Sequence, residues 1–366
     1  MTRIGAAFLV AAGLFLANPA GGDETRFGMN RVNLAWVPPP ARQQVLDAMA
    51  DHGIDLVRLS LTLPLEASID ALRIADQHGM RILLEIPLGN KDFYPPDAVK
   101  RSGHGRIWDV HRLSDIDPNA FRRTFRDVLR RIDALGISLL AVQPGNELNL
   151  GGYNGDLHVY AGGNVRTARS RAELTDRSAF ERGIEKYVVI LQIVREELET
   201  SSESRQAKII SAGISDMGIV DADNRGMERV DANAFVSIVR AAGIENHIDA
   251  YGVHVYPSQE WSEEARRSHV LSILSFCKAP PKGKPCWISE WGIANTSGQC
   301  PVNDRHREHV VREARSLFEP LIRDERLSRA FYFDWDSKTP YSVWRCETLT
   351  PAGMAAVAPA YGLAPD

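Results

Sequence analysis

One pattern limits the architectures open to this chain: short apolar, β-branched runs alternate with longer segments of helical period through most of its 366 residues. Runs near Phe27–Trp36, Leu56–Leu61, Arg81–Ile86, Leu139–Val142, Lys208–Ala212, Ala250–Val255, Cys286–Ser289 and Arg329–Phe333 read as strands. Segments 41–52, 66–79, 119–135, 178–199, 232–243, 262–276 and 305–323 carry apolar residues at helical spacing, and most begin after Pro, Asp or Ser. Strands that are apolar along their length need both faces covered. Crossover helices do this, which makes the sheet parallel. Eight such units predict an α/β fold, a single-domain (β/α)8 TIM barrel over residues 23–366, with a doubly wound open sheet as the other solution. The long connections, 87–117, 148–177, 213–231 and 292–304, all follow strands, and in a barrel such loops gather on the carboxyl face.

Composition narrows the function by exclusion. The formal net charge is -4, without the basic footprint of a nucleic-acid binder. The arginine pairs at 122–123 and 130–131 flank the apolar stripe Phe121, Phe125, Val128, Leu129, Ile132 and read as a solvated helix face. Residues 1–22 have a secretory signal pattern: a positive start at Arg3, an apolar run Ile4–Leu16 and a small-residue end Ala17–Ala20. The run is short for a membrane span, so no stable membrane insertion is expected after cleavage, and the protein is expected to be secreted or periplasmic. Export makes the four cysteines candidates for two disulfides. Of the three possible connectivities, Cys277–Cys286, closing a short loop, and Cys300–Cys346, tying two late loops, are favoured. Zinc-type cysteine spacing is lacking, as are the phosphate-loop, dinucleotide and serine-hydrolase motifs, so no cofactor or metal is expected. Asp221–Gly226 begins like a calcium loop, but has Arg225 at its fifth position and Ala232 at its twelfth.

The residues at the strand ends carry the chemistry. Val142-Gln-Pro-Gly-Asn146-Glu147 leaves a core strand and at once presents an amide and a carboxylate. Trp287-Ile-Ser-Glu290-Trp291 ends another strand in a carboxylate flanked by aromatics. Arg58, His254 with Tyr256, and Trp335 end others, and Trp36 ends the first. Polar groups converging on one barrel mouth form an active site in this architecture. Two carboxylates facing one another across a sugar can divide labour, one donating a proton and the other attacking the anomeric carbon. Arg58 and Tyr256 lying against Glu290 would favour its anion and make it the nucleophile, leaving Glu147, near that anion, to hold its proton. Asn146 is placed to bond a hydroxyl beside the reacting carbon. Tryptophans 36, 108, 261, 291, 335 and 344, at or beyond strand ends, suit a groove lined for sugar faces.

These motifs in their order, Asn146-Glu147, His254-Val-Tyr256, Ser289-Glu290-Trp291 and Trp335, resemble the retaining (β/α)8 glycoside hydrolases of clan A, which include families 5 and 39. The resemblance covers nearly all of the mature chain. It implies a retaining hydrolase of a β-linked oligo- or polysaccharide, with Glu147 as acid and base and Glu290 as nucleophile. It further implies that Arg58 and Tyr256 support Glu290 and that His254 and Trp335 line the sugar site. Where family 5 members commonly carry a histidine at the end of strand three, this chain has Glu85, which reads either as a third site carboxylate or, the favoured reading, as a salt-bridge partner within the barrel. Two other functions fit the same residues: a transglycosylase passing the sugar to another sugar, and a non-catalytic carbohydrate-binding or exopolysaccharide-assembly barrel.

Overall fold

A computed structural model describes residues 25–101, 110–159 and 167–358. The expected signal segment and Trp108 lie outside the described residues. Eight parallel strands form the sheet: β1 (Phe27–Asn30), β2 (Leu56–Ser60), β3 (Arg81–Ile86), β4 (Leu139–Pro144), β5 (Lys208–Ile209), β6 (Tyr251–Val255), β7 (Cys286–Trp291) and β8 (Leu327–Tyr332). β8 pairs with β1, and the bridges Ile210–Ala250 and Ile214–Val253 join β5 to β6, so the sheet closes on itself as a (β/α)8 barrel. Helices α1 (Pro39–Asp51), α2 (Leu65–Gln77), α3 (Pro118–Ala134), α4 (Arg177–Thr200), α5 (Ala232–Ala241), α6 (Glu263–Ile273) and α7 (Arg305–Arg323) form the outer layer, and α8 (Pro351–Val357) packs on α7.

The helices form where the apolar period meets a start signal. In α3, Asp117 caps Asn119 N–H, Pro118 opens the first turn, and Phe121, Phe125, Val128, Leu129 and Ile132 are buried. Its outer arginines are not all merely solvated: Arg122 and Arg126 pair with Glu197 of α4, a carboxylate that is itself buried. The would-be calcium loop is occupied by a short helix, Ile219–Asn224.

Inside the barrel the two-residue period of each strand stacks side chains in layers. One layer is apolar and contains Leu56, Leu83, Ala141, Ile210, Ala250, Trp287 and Phe331. Two residues further along β1, β2, β3 and β4, the inward positions are polar and buried: Asn30, Arg58, Glu85 and Gln143. The barrel is therefore plugged by hydrocarbon below and by hydrogen-bonding groups above, toward the carboxyl mouth.

Two disulfides join Cys277 to Cys286 and Cys300 to Cys346, as expected, and suit an oxidising compartment. Among the described residues no helix is long and apolar enough to cross a membrane. The Cys300–Cys346 bridge closes 46 residues of separation against 9 for the other. On loop-closure entropy it contributes about 4 kcal/mol against about 3. Double replacement of Cys300 and Cys346 by Ser should lower the denaturation midpoint more than replacement of Cys277 and Cys286, and the reverse order would refute that account.

Candidate active site

Arg58 is the hub of the barrel mouth. Its Nε donates to Gln143 Oε1 (2.8 Å), Nη1 to Asn30 Oδ1 (3.0 Å) and Glu290 Oε1 (2.7 Å), and Nη2 to Asn146 Oδ1 (3.1 Å). Asn30 and Gln143 are held in turn: Asn30 Nδ2 donates to the carbonyls of Ser289 and Phe331, and Gln143 Nε2 to Ser211 O and Ser289 Oγ. Glu290 receives a second donor, Tyr256 Oη, at 2.6 Å from Oε2. Burial alone would raise the Glu290 carboxyl. His254, Arg58 and the Tyr256 hydroxyl outweigh it and hold the group below the usual carboxylate range. Burial and the facing Glu290 charge push the Tyr256 phenol far up, so it stays a donor.

Glu147 follows the β4 strand at φ +41°, a left-handed backbone conformation that side-chain-bearing residues rarely adopt, directly after Gly145 at φ +89°. No helix starts here, so helix-dipole stabilisation does not explain this carboxylate. Its Oε1 lies 3.0 Å from His254 Nδ1, and the same nitrogen lies 3.5 Å from Glu290 Oε2. His254 Nε2 has no hydrogen-bond partner among the described residues and faces Gly213, where a Cβ would overlap it. The arrangement suits a ring that carries its proton on Nδ1 and donates toward the carboxylates.

A cavity of about 580 Å³ opens over this floor. Glu147, Glu290 and Tyr256 line it, together with Tyr153, Trp261, Phe333 and Tyr341. Of the residues expected to bind sugar, Asn146 and Tyr256 stand beside the carboxylates. Arg58 and His254 also meet them, but from behind, buried, acting on the carboxylates and not on the cavity. Trp36 stands apart, 66% exposed, its Nε1 donating to Leu63 O at 3.1 Å.

Two expectations are corrected. Trp291 is fully buried with its ring against Phe318 and Tyr332, because it follows the inward Glu290 and so points outward to the helices. Trp335 is also fully buried, stacked on Trp344 at 5.0 Å. The aromatic that β8 sends to the cavity is Phe333, two residues beyond the inward Phe331, and the two-residue period carried that signal. Asn30, likewise missed, occupies the inward end of β1, while Asn33 opens the following turn.

Glu85 has no cation paired with it among the described residues, so the barrel salt bridge expected of it is not formed. Burial raises its carboxyl to about 7, against the lowering influence of Arg58, whose donors are directed to Glu290 and its neighbours.

A closed barrel with two carboxylates at its carboxyl mouth is the class of molecule these observations define. Solved structures sharing the fold include a family 39 glycoside hydrolase from the gut symbiont Bacteroides cellulosilyticus WH2, with TM-score 0.51 and 14% identity, covering 92% of this chain and 64% of that one. An exo-β-1,4-mannosidase from Opitutaceae bacterium strain TAV5 matches with TM-score 0.54 and 16% identity, over 92% of this chain and 60% of that one. A family 5 mannosidase from Rhizomucor miehei matches with TM-score 0.52 and 13% identity, over 92% of both. The chain thus spans less than two thirds of the length of the first two. No family model and no curated protein matches the sequence. At these identities the likeness establishes the barrel fold.

The Glu85 value gives a pH test. A carboxyl whose folded value, about 7, exceeds its ordinary 4.5 keeps a proton that the unfolded chain has released between them. Its contribution to stability is intact below the lower value and is lost as pH rises through the higher one, by on the order of 3 kcal/mol. Glu85→Gln should remove that component, so the native midpoint in chemical denaturation should fall relative to the variant between about pH 4 and 8. Parallel curves would sink the assignment.

Proposed function

We propose that this protein is an exported retaining glycoside hydrolase acting on a β-linked oligo- or polysaccharide, with Glu290 as nucleophile and Glu147 as acid and base. One observation carries the reading: a single imidazole nitrogen, His254 Nδ1, lies 3.0 Å from one carboxylate and 3.5 Å from the other. That shared contact limits the gap between these two oxygens to at most roughly 6.5 Å, where spacings that admit an intervening water begin. It agrees with the roughly 5–5.5 Å of direct attack.

The supports of the two carboxylates differ in the way the roles require. Glu290 is held ionised by a guanidinium and a phenol, so its oxygen can attack the anomeric carbon. Glu147 gives its proton to the leaving oxygen as the C–O bond breaks with its electron pair, leaving a glycosyl ester on Glu290. Glu147, now ionised, takes a proton from water, and the water oxygen displaces Glu290 from the sugar. Both carboxylates return to their starting states. The Asn146 amide lies beside this path and can bond a sugar hydroxyl. Phe333 and Tyr153 supply apolar and phenolic walls to the same ring. The β-linkage is supported by the β-1,4-mannosidase among the structures that share the fold.

Glu147→Gln should lower turnover by about 10²–10⁴-fold and Glu290→Gln by more, with unchanged denaturation midpoints. Full activity in either variant refutes the roles. A 2-fluoro glycoside trap should add mass to the peptide carrying Glu290, and labelling elsewhere reassigns the nucleophile. The first-formed anomer seen by NMR should keep the configuration of the bond cleaved.

A further inference from the structure

The cavity continues well past the carboxylates. Its far wall joins Asp216, after β5, to His269 on α6 and Trp261 in the β6–α6 loop. Asp216 is buried at 7% exposure, and its Oδ2 accepts from His269 Nε2 and Tyr256 N–H, both at 2.7 Å. Its other oxygen has no protein donor among the described residues. Trp261 is 37% exposed and meets the His269 ring edge-on at 5.0 Å. Its loop is fastened from behind: Arg266, buried and paired with Glu313, donates to the carbonyls of Gln259 and Trp261. A buried carboxylate with a spare acceptor, bonded to a half-buried imidazole and next to a partly exposed indole on an anchored loop, is a preorganised polar and aromatic corner.

We propose that Asp216, His269 and Trp261 form a second sugar-binding position, taking the pyranose ring adjacent to the cleaved bond. The indole packs against that ring's apolar C–H face, and the spare Asp216 oxygen accepts from one of its hydroxyls. This rests on the hydrolase reading above, and it adds that the protein recognises chains and not single terminal sugars. Asp216 also holds the backbone of Tyr256, whose hydroxyl bonds Glu290, so Trp261 and His269 are the cleaner sites to vary.

The test uses the full chain carrying Glu147→Gln, titrated calorimetrically with β-linked gluco-, manno-, xylo- and galacto-oligosaccharides of two to six rings. Affinity should rise with length for the accepted series. Trp261→Ala or His269→Ala in that background should weaken the longer members about tenfold and flatten the rise, with Trp261→Phe restoring part of it. Unchanged length dependence in both Ala variants overturns the second position and leaves the hydrolase reading standing. So does equal weakening at every length. Failure of the Glu147→Gln parent to bind any of the series, with no cleavage by the native protein, overturns both together. Denaturation midpoints equal to the parent's show that the Ala variants are folded.

Discussion

A guanidinium with almost no water around it dominates the interior of this barrel. Arg58, 1% exposed, would be ruinous to bury alone, since an unpaired ion in a low-dielectric interior costs several kcal/mol. The fold meets that cost by giving it four acceptors, from β1, β4, the β4 loop and β7. A lysine has neither the planar fork nor the number of donors to join them. Because the same bonds fix Glu290, the strands cannot shift against each other without disturbing the carboxylate, and stability and chemistry share one set of contacts.

Both candidate catalytic carboxylates sit where regular backbone is abandoned. Glu147 occupies a left-handed conformation just beyond β4. Glu290 depends on a register slip in β7: Ile288 pairs with Val253, but Glu290 and not Ser289 pairs with His254. The extra residue lets Ser289 and Glu290 both reach the inside, Ser289 Oγ to Gln143 and Glu290 to Arg58. With strict alternation one of them would face the helices. Gly213 and Gly252 complete the geometry, because a Cβ on either would overlap His254 or Gln143.

The sequence was legible in proportion to how periodic each feature is. Most strand and helix runs emerged within a few residues of their observed limits, since burial of alternating layers writes itself into apolar spacing, but the first strand, read as far as Trp36, ends at Asn30, because the chain turns at Asn33 into a short 3-10 helix, Leu34–Trp36. The two carboxylates were legible because each interrupts an apolar run abruptly. What escaped depended on facing: Trp291 and Trp335 share strand ends with real site residues, and only the bulge in β7 and the inward series Phe331, Phe333 decide which aromatic reaches the cavity. The role of His254 escaped for another reason. A histidine between two carboxylates looks, in one dimension, the same as one that touches a ligand.

Among the described residues, the walls of the cavity come from the segments after β4 to β8, and none of its lining residues follows β1, β2 or β3. Much of the scaffolding behind Glu290, by contrast, comes from Asn30, Arg58 and Gln143 on β1, β2 and β4. Support for the reaction and shape for the ligand are thus largely supplied by different arcs of one ring. Changes in the later loops can reshape the cavity while the earlier arc keeps Glu290 in place, which makes those loops the natural place to graft altered selectivity.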